Sequence, residues 1–145
     1  MRISMKSDYA LRAMMELAAV HGTRPLQTSE IAARRAIPES YLEQLLTTLR
    51  KAGFVTSSRG PQGGHSLALD PSRVTVGDVV RALEGPVIVT DCLDNPDVCQ
   101  YPSSCVLRDL WLAVRGAVEQ ALDQVTIEEL ASRQAVADGA LMYHI

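Results

Sequence analysis

The stretch that decides the fold is TSEIAARRAIPESYLEQLLTTLRKAGFVTSSRGPQGGHSLAL, which runs from residue 28 to residue 69. Its centre predicts a helix from Ser40 to Ala52, because four leucines recur there at helical spacing and form one apolar stripe. Gly53 suits the left-handed cap that commonly ends a helix. The four leucines are Leu42, Leu45, Leu46 and Leu49.

A shorter helix is predicted just before it, with Thr28 or Ser29 as its N-cap and an end near Arg35. The Ile37–Pro38 pair then predicts a turn, since a residue that precedes proline disfavours the helical conformation. Upstream, apolar side chains at spacings of three and four predict a first helix over residues 8–21.

A β-hairpin is predicted after the third helix. Residues 54–58 and 66–69 have strand-like patterns, and the segment from Arg59 to His65 between them is rich in glycine, which favours a turn. Three helices followed by a hairpin are the plan of a winged helix-turn-helix. The predicted fold class is therefore mainly α with a small β-hairpin wing.

The second half of the chain predicts further helices. A capping-box pattern at Thr75 opens one, a long helix is expected from about Cys105 to Asp123, and a last helix begins at Thr126. Residues 137–145 are expected to form an ordered or a frayed terminal tail.

The long helix has an apolar stripe in which the intervals alternate between four and three residues. Such a stripe stays in register with a partner helix, so we expect it to join two copies of the chain. Burial within its own domain is the alternative. The stripe consists of Leu107, Trp111, Val114, Val118, Ala121 and Val125.

The charge of the chain is unevenly distributed. Its net charge of −3 over 145 residues argues, taken alone, against a general binder of nucleic acid. Residues 1–70, however, carry nine Lys or Arg against six Asp or Glu, whereas residues 71–145 carry five against eleven. A basic first half fits contact with an anion. Ordinary variation of the surface charge is the alternative. Taken together with the winged helix-turn-helix predicted above, the charge leads us to expect a DNA-binding domain over residues 1–72, and a cysteine-containing loop and dimerisation helices over residues 73–145.

Three cysteines, Cys92, Cys99 and Cys105, lie in or beside a polar, proline-containing loop predicted over residues 91–104. An odd number of cysteines disfavours a closed disulfide framework, and no apolar run approaches the roughly 18 residues of a membrane span, so we expect a cytoplasmic protein. Thiolates this close in sequence can converge on one metal centre. Iron–sulfur clusters tolerate varied cysteine spacing, whereas zinc sites usually show Cys-x-x-Cys pairs, which this sequence lacks. Free thiols and a zinc site are the alternatives.

Several short motifs are more specific together than any of them alone: MRIS at 1–4, DYALRAM at 8–14, SYLEQL at 40–45, LRKAGFV at 49–55, RGP at 59–61 with GG at 63–64, and GDV at 77–79 before LEG at 83–85. With these motifs the chain resembles, over nearly its whole length, the bacterial Rrf-two family of winged-helix transcription regulators. The resemblance implies a homodimer, joined through the long helix, that binds double-stranded operator DNA.

The third helix of a winged helix enters the major groove. With its leucine stripe buried, the side chains expected to face outward are Ser40, Tyr41, Glu43, Gln44 and Thr47 or Thr48. Gln44 can bind adenine, and Glu43 can accept a hydrogen bond from cytosine.

Phosphate contacts are expected from Arg50 and Lys51 at the end of the third helix, and from free N–H groups near Thr28. The resemblance implies that Arg59, beside Gly60 at the wing tip, enters a narrow minor groove. His65 stands where the family more often has an aromatic residue, and we expect it to pack within the wing or to contact phosphate.

The loop also resembles the cluster-binding loop of the family, which implies an iron–sulfur cluster held by Cys92, Cys99 and Cys105. Iron–sulfur regulators of the family have a histidine where this chain has Arg108. Nitric-oxide sensors of the family use an aspartate of the partner subunit, and Asp8 stands at the matching position. A helix N-cap is the alternative role for Asp8. Together Asp8 and Arg108 favour a 4Fe–4S over a 2Fe–2S cluster.

We therefore expect a DNA-binding regulator whose operator affinity is set by an iron–sulfur cluster that reports iron–sulfur status, redox state or nitric oxide. The alternative is a repressor of the same family controlled by a regulatory protein or metabolite partner, with cysteines that are incidental or redox-active. An enzyme is not expected, since no nucleophile–base pair or paired carboxylates stand out in the sequence.

Overall fold

The computed structural model describes residues 2–100 and 104–143. Met1 of the first motif, residues 101–103 of the predicted cysteine loop and residues 144–145 of the expected tail lie outside the described residues. The described chain forms helices α1 (Met5–Ala19), α2 (Thr28–Arg35), α3 (Glu39–Lys51), α4 (Val76–Glu84), α5 (Asp91–Asp94), α6 (Val106–Asp123) and α7 (Ile127–Tyr143), strands β1 (Val55–Ser58) and β2 (Gly64–Leu67), and 3-10 turns at Pro71–Arg73 and Pro96–Val98.

The element order confirms the predicted fold class, mainly helical with one small antiparallel hairpin. Strands β1 and β2 pair from Val55 with Leu67 to Ser58 with Gly64, so the second strand begins two residues earlier than predicted. This register follows from the short turn over residues 59–63, which leaves Gly64 directly opposite Ser58. We call residues 55–67 the wing.

Helix α1 begins at Met5, three residues before the predicted start. The reason is a tertiary contact: the backbone N–H of Ser4 and the hydroxyl of Ser7 donate to the Glu84 carboxylate of α4, at 3.1 and 2.7 Å. The Ser4 hydroxyl donates to the same carboxylate and, followed by the Ser7 hydroxyl, is the main cause that lowers the pKa of Glu84. Together these hydrogen bonds hold the first turn of α1 against the end of α4.

The predicted N-cap of α2 was wrong. Gln27 precedes the helix, rather than Thr28 or Ser29, and Glu30 completes a capping box with it. The Gln27 amide Nε2 also donates to the carbonyl oxygen of Gly63, so residue 27 is fixed by the wing.

Two segments for which no helix was predicted contain helix. Residues 91–94 form α5, which buries Leu93. Helix α7 continues to Tyr143, where a tail was expected from residue 137, because Asp138 accepts hydrogen bonds from Arg35 and Gln134 at 2.8 Å each. Among the described helices none is long and apolar enough to cross a bilayer.

Helix α1 lies at the centre of the core and packs against α2, α3, α4, α7 and β2. Its Ala10 and Ala13 are fully buried, and such small side chains allow neighbouring helices to approach closely. The core draws on both halves of the sequence, and includes Met14, Leu17, Ile31, Leu42, Leu46, Leu49, Val55, Val79 and Ile127. The domain boundary at residues 72–73 stays a prediction.

A buried carboxylate joins three of these helices. Glu16 of α1 is almost completely buried and pairs with Arg34 and Arg35 at the end of α2, at 3.3 and 2.5 Å. Arg35 also pairs with Asp138 of α7 at 2.8 Å, which lowers the pKa of that carboxyl. The side chain of Arg35 therefore ties the helix-turn-helix to the last helix.

Candidate nucleic-acid interface and cysteine segment

Helix α3 separates an apolar from a polar face. Its leucine stripe is buried as predicted, and Ser40, Glu43 and Gln44 are exposed on the opposite side. Arg50 and Lys51 are exposed in its last turn, where positive charges interact favourably with the negative end of the helix dipole. Ser40, Glu43 and Gln44 can therefore reach a ligand that lies along α3.

The threonines of α3 differ from the other polar residues of that face. The Thr47 hydroxyl donates to the carbonyl oxygen of Glu43 at 2.9 Å, and the Thr48 hydroxyl to that of Gln44 at 3.1 Å. Each hydroxyl has thus committed its proton to the helix itself.

Tyr41 is half-buried rather than outward-facing. Its ring meets the ring of Tyr9 edge to face, with centroids 5.8 Å apart, and the Arg12 guanidinium covers the Tyr9 ring at 5.4 Å. Aromatic pairs of this kind contribute about 0.5–1.5 kcal/mol beyond burial. Tyr41 therefore joins α3 to α1 through its contact with Tyr9. Its contact with DNA stays a prediction.

The wing presents its turn to solvent. Arg59 and Gly60 are exposed at its tip, and Gly60 has a φ of +99°, which favours glycine. A Cβ at Gly63 would overlap the backbone of Ser58 and Arg59, so only glycine allows the turn to fold back this closely. The sequence prediction of Arg59 at the tip of a tight, glycine-dependent turn agrees with this geometry.

His65 connects the wing to the helix-turn-helix. Its backbone exchanges two hydrogen bonds with Leu26, at 2.8 and 2.9 Å. Its ring Nε2 lies 3.0 Å from the Thr28 hydroxyl of α2, and its Nδ1 lies 2.9 Å from the Ser57 hydroxyl of β1. The predicted packing role of His65 within the wing thus extends to the N-terminus of α2.

Two charged residues of α3 also act on His65. Burial lowers the pKa of its imidazole, Arg50 lowers it further, and Glu43 opposes them. The ring therefore lies within electrostatic range of α3 as well as of α2 and β1. Sequence reasoning missed Ser57 and Gln27 as members of this surface, because neither belongs to a periodic pattern or a recognisable motif.

The second candidate site is the segment from residue 91 to residue 105, here called the cysteine segment. Cys92 lies in α5, Cys99 follows the 3-10 turn Pro96–Val98, and Cys105 is the N-cap of α6. All three are partly exposed and form no disulfide. The Sγ of Cys92 lies 3.2 Å from the Thr90 hydroxyl, and Asp94 pairs with Arg115 of α6 at 2.8 Å.

The donor types of the cysteine segment fit an iron–sulfur cluster, because thiolates are the ligands that such clusters take. The geometry does not assemble one: within residues 2–100 and 104–143, no three His, Cys, Asp or Glu side chains lie close enough together to hold a metal ion. The predicted ligands therefore have suitable donor atoms, but the described residues do not bring them together around one site.

Asp8, the expected fourth ligand, lies in the first turn of α1 and pairs with Arg12 at 2.7 Å. Its Oδ2 is buried and accepts no hydrogen bond of good geometry, so the ion pair is its principal interaction. The alternative role of Asp8 as an N-cap was wrong, since Ser4 occupies that position. Arg108 is exposed on α6.

Helix α6 carries an apolar face that its own chain leaves uncovered. None of its residues is fully buried, and among the described elements its main contacts are with α4 and α5. Leu107 and Leu110 are about half exposed, at 52% and 50%, and Val114 is 36% exposed. Of the predicted stripe, Leu107, Val114 and Ala121 are exposed, whereas Trp111, Val118 and Val125 are half-buried, so burial against its own domain covers the stripe only in part.

Comparison with known proteins gives a consistent picture. The family model Rrf2, described as "Iron-dependent Transcriptional regulator", matches residues 3–133. The HTH-type transcriptional regulator CymR of Bacillus subtilis (strain 168) is 40% identical over 145 residues, which are 100% of both chains. The HTH-type transcriptional regulator IscR of Klebsiella pneumoniae (strain 342) is 37% identical over 138 residues, 95% of this chain and 84% of the relative.

One solved structure, described as CymR (YrzC), the global cysteine regulator of B. subtilis, superposes with a TM-score of 0.79 and 41% identity. The superposition covers 92% of this chain and 98% of the other. The resemblance stated from the sequence motifs is thus confirmed, and these relatives are transcriptional regulators rather than enzymes.

Proposed function

The chain belongs to the Rrf2 (Rrf-two) family of transcriptional regulators, and from that premise we propose that it is a homodimer that binds operator DNA in the cytoplasm. The observation that carries this proposal is a single surface formed by α3, the N-terminus of α2 and the wing, in which the His65 ring bridges α2 and the wing. Such a surface matches a major groove flanked by a minor groove.

Within this surface, Ser40, Glu43 and Gln44 are the residues proposed to read base edges. Gln44 matches adenine, and Glu43 accepts from cytosine while repelling phosphate. Both lie on the exposed face of α3. Tyr41 is proposed to contact DNA only with the edge that its Tyr9 contact leaves free.

Phosphate contacts are assigned to Thr28, Arg50 and Lys51. Thr28 begins α2, where free N–H groups and the helix dipole favour an anion. Arg59 and Gly60 at the wing tip are proposed to enter the minor groove, where a narrow A·T-rich sequence attracts arginine.

Substitution of the reading residues tests this assignment. The probe is a labelled duplex of about 30 base pairs, enough for two half-sites, enriched from random DNA by the full-length protein. Gln44→Ala is expected to relax preference at one base position by about 1–3 kcal/mol. Arg59→Ala should weaken binding most where the flanking sequence is A·T-rich.

Arg133→Ala on α7 is the matched control, because this arginine pairs with its neighbour Glu129 on the same helix and lies outside the proposed surface. It should bind the duplex like the wild type. If Arg59→Ala lost no more affinity than Arg133→Ala, the wing would have no part in DNA binding.

The apolar face of α6 is proposed as the dimer interface. Leu107, Leu110 and Val114 are exposed at intervals of three and four residues, the spacing of a helix that packs against a second helix. Two copies related by a two-fold axis would present two α3 helices to successive major grooves.

Control of DNA binding is assigned to the cysteine segment, with Cys92, Cys99 and Cys105 as proposed ligands of an iron–sulfur cluster. When bound, such a cluster would act as the sensing group, because oxygen or nitric oxide changes its redox state or removes it from the protein. A 4Fe–4S type remains our proposal, with Asp8 as fourth ligand in place of its ion pair with Arg12.

A path of contacts connects this segment to the DNA-binding surface. Asp94 pairs with Arg115 of α6, the end of α6 pairs with α4 through Asp123 and Arg81 at 2.7 Å, and Glu84 of α4 holds the start of α1. Because α1 packs on α3, a rearrangement of the cysteine segment has a physical route to the DNA-binding surface.

A second candidate is a regulator controlled by a protein or metabolite, without a cluster. The observation in its favour is that the described residues bring no three ligands together while Asp8 is paired with Arg12. The relative described as a global cysteine regulator, matched over most of its length, is consistent with this candidate.

Anaerobic purification separates the two candidates. A brown protein with iron and sulfide, whose DNA affinity changes on exposure to air or nitric oxide, supports the cluster. A colourless protein whose DNA binding is unaffected by Cys92→Ala supports the second candidate. Asp8→Ala should reduce iron retention and change the absorption spectrum, and an unchanged spectrum would exclude Asp8 as a ligand.

A further inference from the structure

His65 holds two hydroxyl groups that face the proposed DNA surface. The Thr28 hydroxyl lies at the N-terminus of α2, and the Ser57 hydroxyl lies on an exposed position of β1. The two hydroxyls contact different nitrogens of the same ring, at 3.0 and 2.9 Å. The protonation state of the ring therefore decides what both hydroxyls can do.

A neutral imidazole has one N–H donor and one nitrogen lone pair. One of the two hydroxyls must consequently donate its proton to the ring, and that proton is then unavailable to any other acceptor. An imidazolium donates from both nitrogens. Both hydroxyls then accept from the ring, and both keep a proton that can be donated to a phosphate oxygen.

The charged groups that face the ring are Arg50 and Glu43, both on α3, while α2 and β1 contribute the uncharged hydroxyls. Burial and Arg50 lower the pKa of His65, so the ring is neutral in the free protein near pH 7. A phosphate placed at the N-terminus of α2 acts in the opposite direction, because a nearby anion favours the imidazolium.

We propose that His65 is a proton-linked positioning residue for DNA binding: by taking up a proton it turns the Thr28 and Ser57 hydroxyls into phosphate donors, so DNA affinity rises as the pH falls. This inference rests on the proposed function, since it requires DNA at this surface. One proton taken up per protomer gives at most about a tenfold change in Kd per pH unit, and two protomers together at most about a hundredfold.

The test measures Kd for the enriched duplex by fluorescence anisotropy at constant salt, between about pH 7.5 and about pH 6, the range in which histidine titrates. For the wild type we expect Kd to fall by about three- to thirtyfold over this range. His65→Gln keeps one donor and one acceptor but does not titrate, so its Kd should be nearly independent of pH.

His21→Gln is the matched control, because His21 is exposed and lies outside the proposed surface. It should retain the wild-type dependence on pH. Thr28→Val, which removes one of the two hydroxyls, should weaken binding more at the lower pH than at the higher one.

A direct measurement accompanies these variants. The pKa of His65, followed by NMR in the full-length protein, should rise when the duplex is added. A wild-type Kd that does not vary with pH, a His65→Gln variant that keeps the wild-type dependence, or a His65 pKa unchanged by DNA would each overturn the inference.

These outcomes are distinguishable from failure of the proposed function. If the wild type enriches no duplex from random DNA at any pH, the proposed function itself fails, and this inference with it. If it binds a duplex with a Kd that is constant with pH, only the role of the His65 proton is contradicted.

Discussion

Gly77 shows how the absence of one Cβ allows two helices to meet. A Cβ at this position would overlap Oδ1 of Asp123, whose carboxylate pairs with Arg81 at 2.7 Å. We expect Gly77→Ala to turn this half-exposed side chain away from Arg81, so that the lost ion pair offsets the gain in helix propensity and the free energy of unfolding changes by less than about 1 kcal/mol. Urea denaturation at a fixed protein concentration measures this change.

Gly116 provides the control for that substitution. It lies within α6, its φ is not positive, and nothing lies within 4 Å of where its Cβ would stand. Gly116→Ala should therefore stabilise the protein, by up to about 1 kcal/mol, through helix propensity. Equal stability changes for the two variants would show that Asp123 does not require the space at Gly77.

Asp78 makes the stability of α4 depend on pH. The backbone N–H of Thr75 donates to its carboxylate at 2.9 Å, and this bond is the largest cause that lowers its pKa. A carboxylate whose pKa is lowered by folding stabilises the folded state above its unfolded pKa, about 3.8, and loses that contribution as the pH falls through the lower folded value.

Asp78→Ala should accordingly lower the free energy of unfolding by about 1 kcal/mol near neutral pH, as expected for loss of a capping interaction. The difference in free energy of unfolding between variant and wild type should shrink below about pH 3.8, because there the Asp78 carboxyl of the unfolded chain takes up a proton. Denaturation curves at about pH 7 and about pH 3 measure both values. A difference that is as large at the lower pH would mean that the carboxylate charge is not involved.

At the scale of elements, the buried Glu16 links α1 to α2 and, through Arg35, to α7. Its carboxylate pairs with both Arg34 and Arg35, and Arg35 also pairs with Asp138 of α7. Glu16→Gln keeps the shape but leaves Arg35 with Asp138 as its remaining anionic partner. We expect a loss of about 2–4 kcal/mol in the free energy of unfolding, measured by urea denaturation.

Glu129→Gln is the matched control for charge removal. Glu129 pairs with Arg133 one turn away on α7, and both side chains are largely exposed. Such exposed pairs contribute about 0.5 kcal/mol, so this variant should be nearly as stable as the wild type. If Glu16→Gln were equally mild, the buried pair would not connect these helices.

The elements themselves could largely be predicted from the sequence. The leucine stripe of α3, the capping box at Thr75 and the turn at Gly53 are local signals, and each agrees with the structure. The starts of α1 and α2 were less predictable, because contacts from distant parts of the chain determine them. Ser4 is held by Glu84, and Gln27 is fixed by Gly63.

The candidate site likewise has features that local sequence signals predict and features that depend on long-range contacts. The position of Arg59 follows from a glycine-rich turn, which is readable in the sequence, whereas the contacts of His65 join residues that are far apart in the chain. The aromatic contact between Tyr9 and Tyr41 is likewise non-local. Residue identity can suggest a ligand type, such as a cysteine thiolate, but it does not show whether three of them converge.

At the scale of the whole molecule, the uncovered face of α6 predicts that a single copy of the chain is incomplete. Leu110 lies on this face and is half exposed. We expect Leu110→Glu to convert the dimer to a monomer in light scattering coupled to size exclusion, because it places a charge where two apolar helices meet. The circular dichroism of the variant should stay unchanged, since α6 buries none of its residues in its own chain.

The effect of Leu110→Glu on DNA affinity provides a second test of the α6 dimer interface. A dimer holds two α3 helices on one duplex, so loss of the dimer should weaken binding to a two-half-site duplex by about a hundredfold or more, while binding to one half-site changes little. Val136→Glu is the control, because Val136 is 73% exposed on α7 and lies off the α6 face. If Leu110→Glu remained a dimer, or if Val136→Glu were equally disruptive, the subunits would associate through another surface.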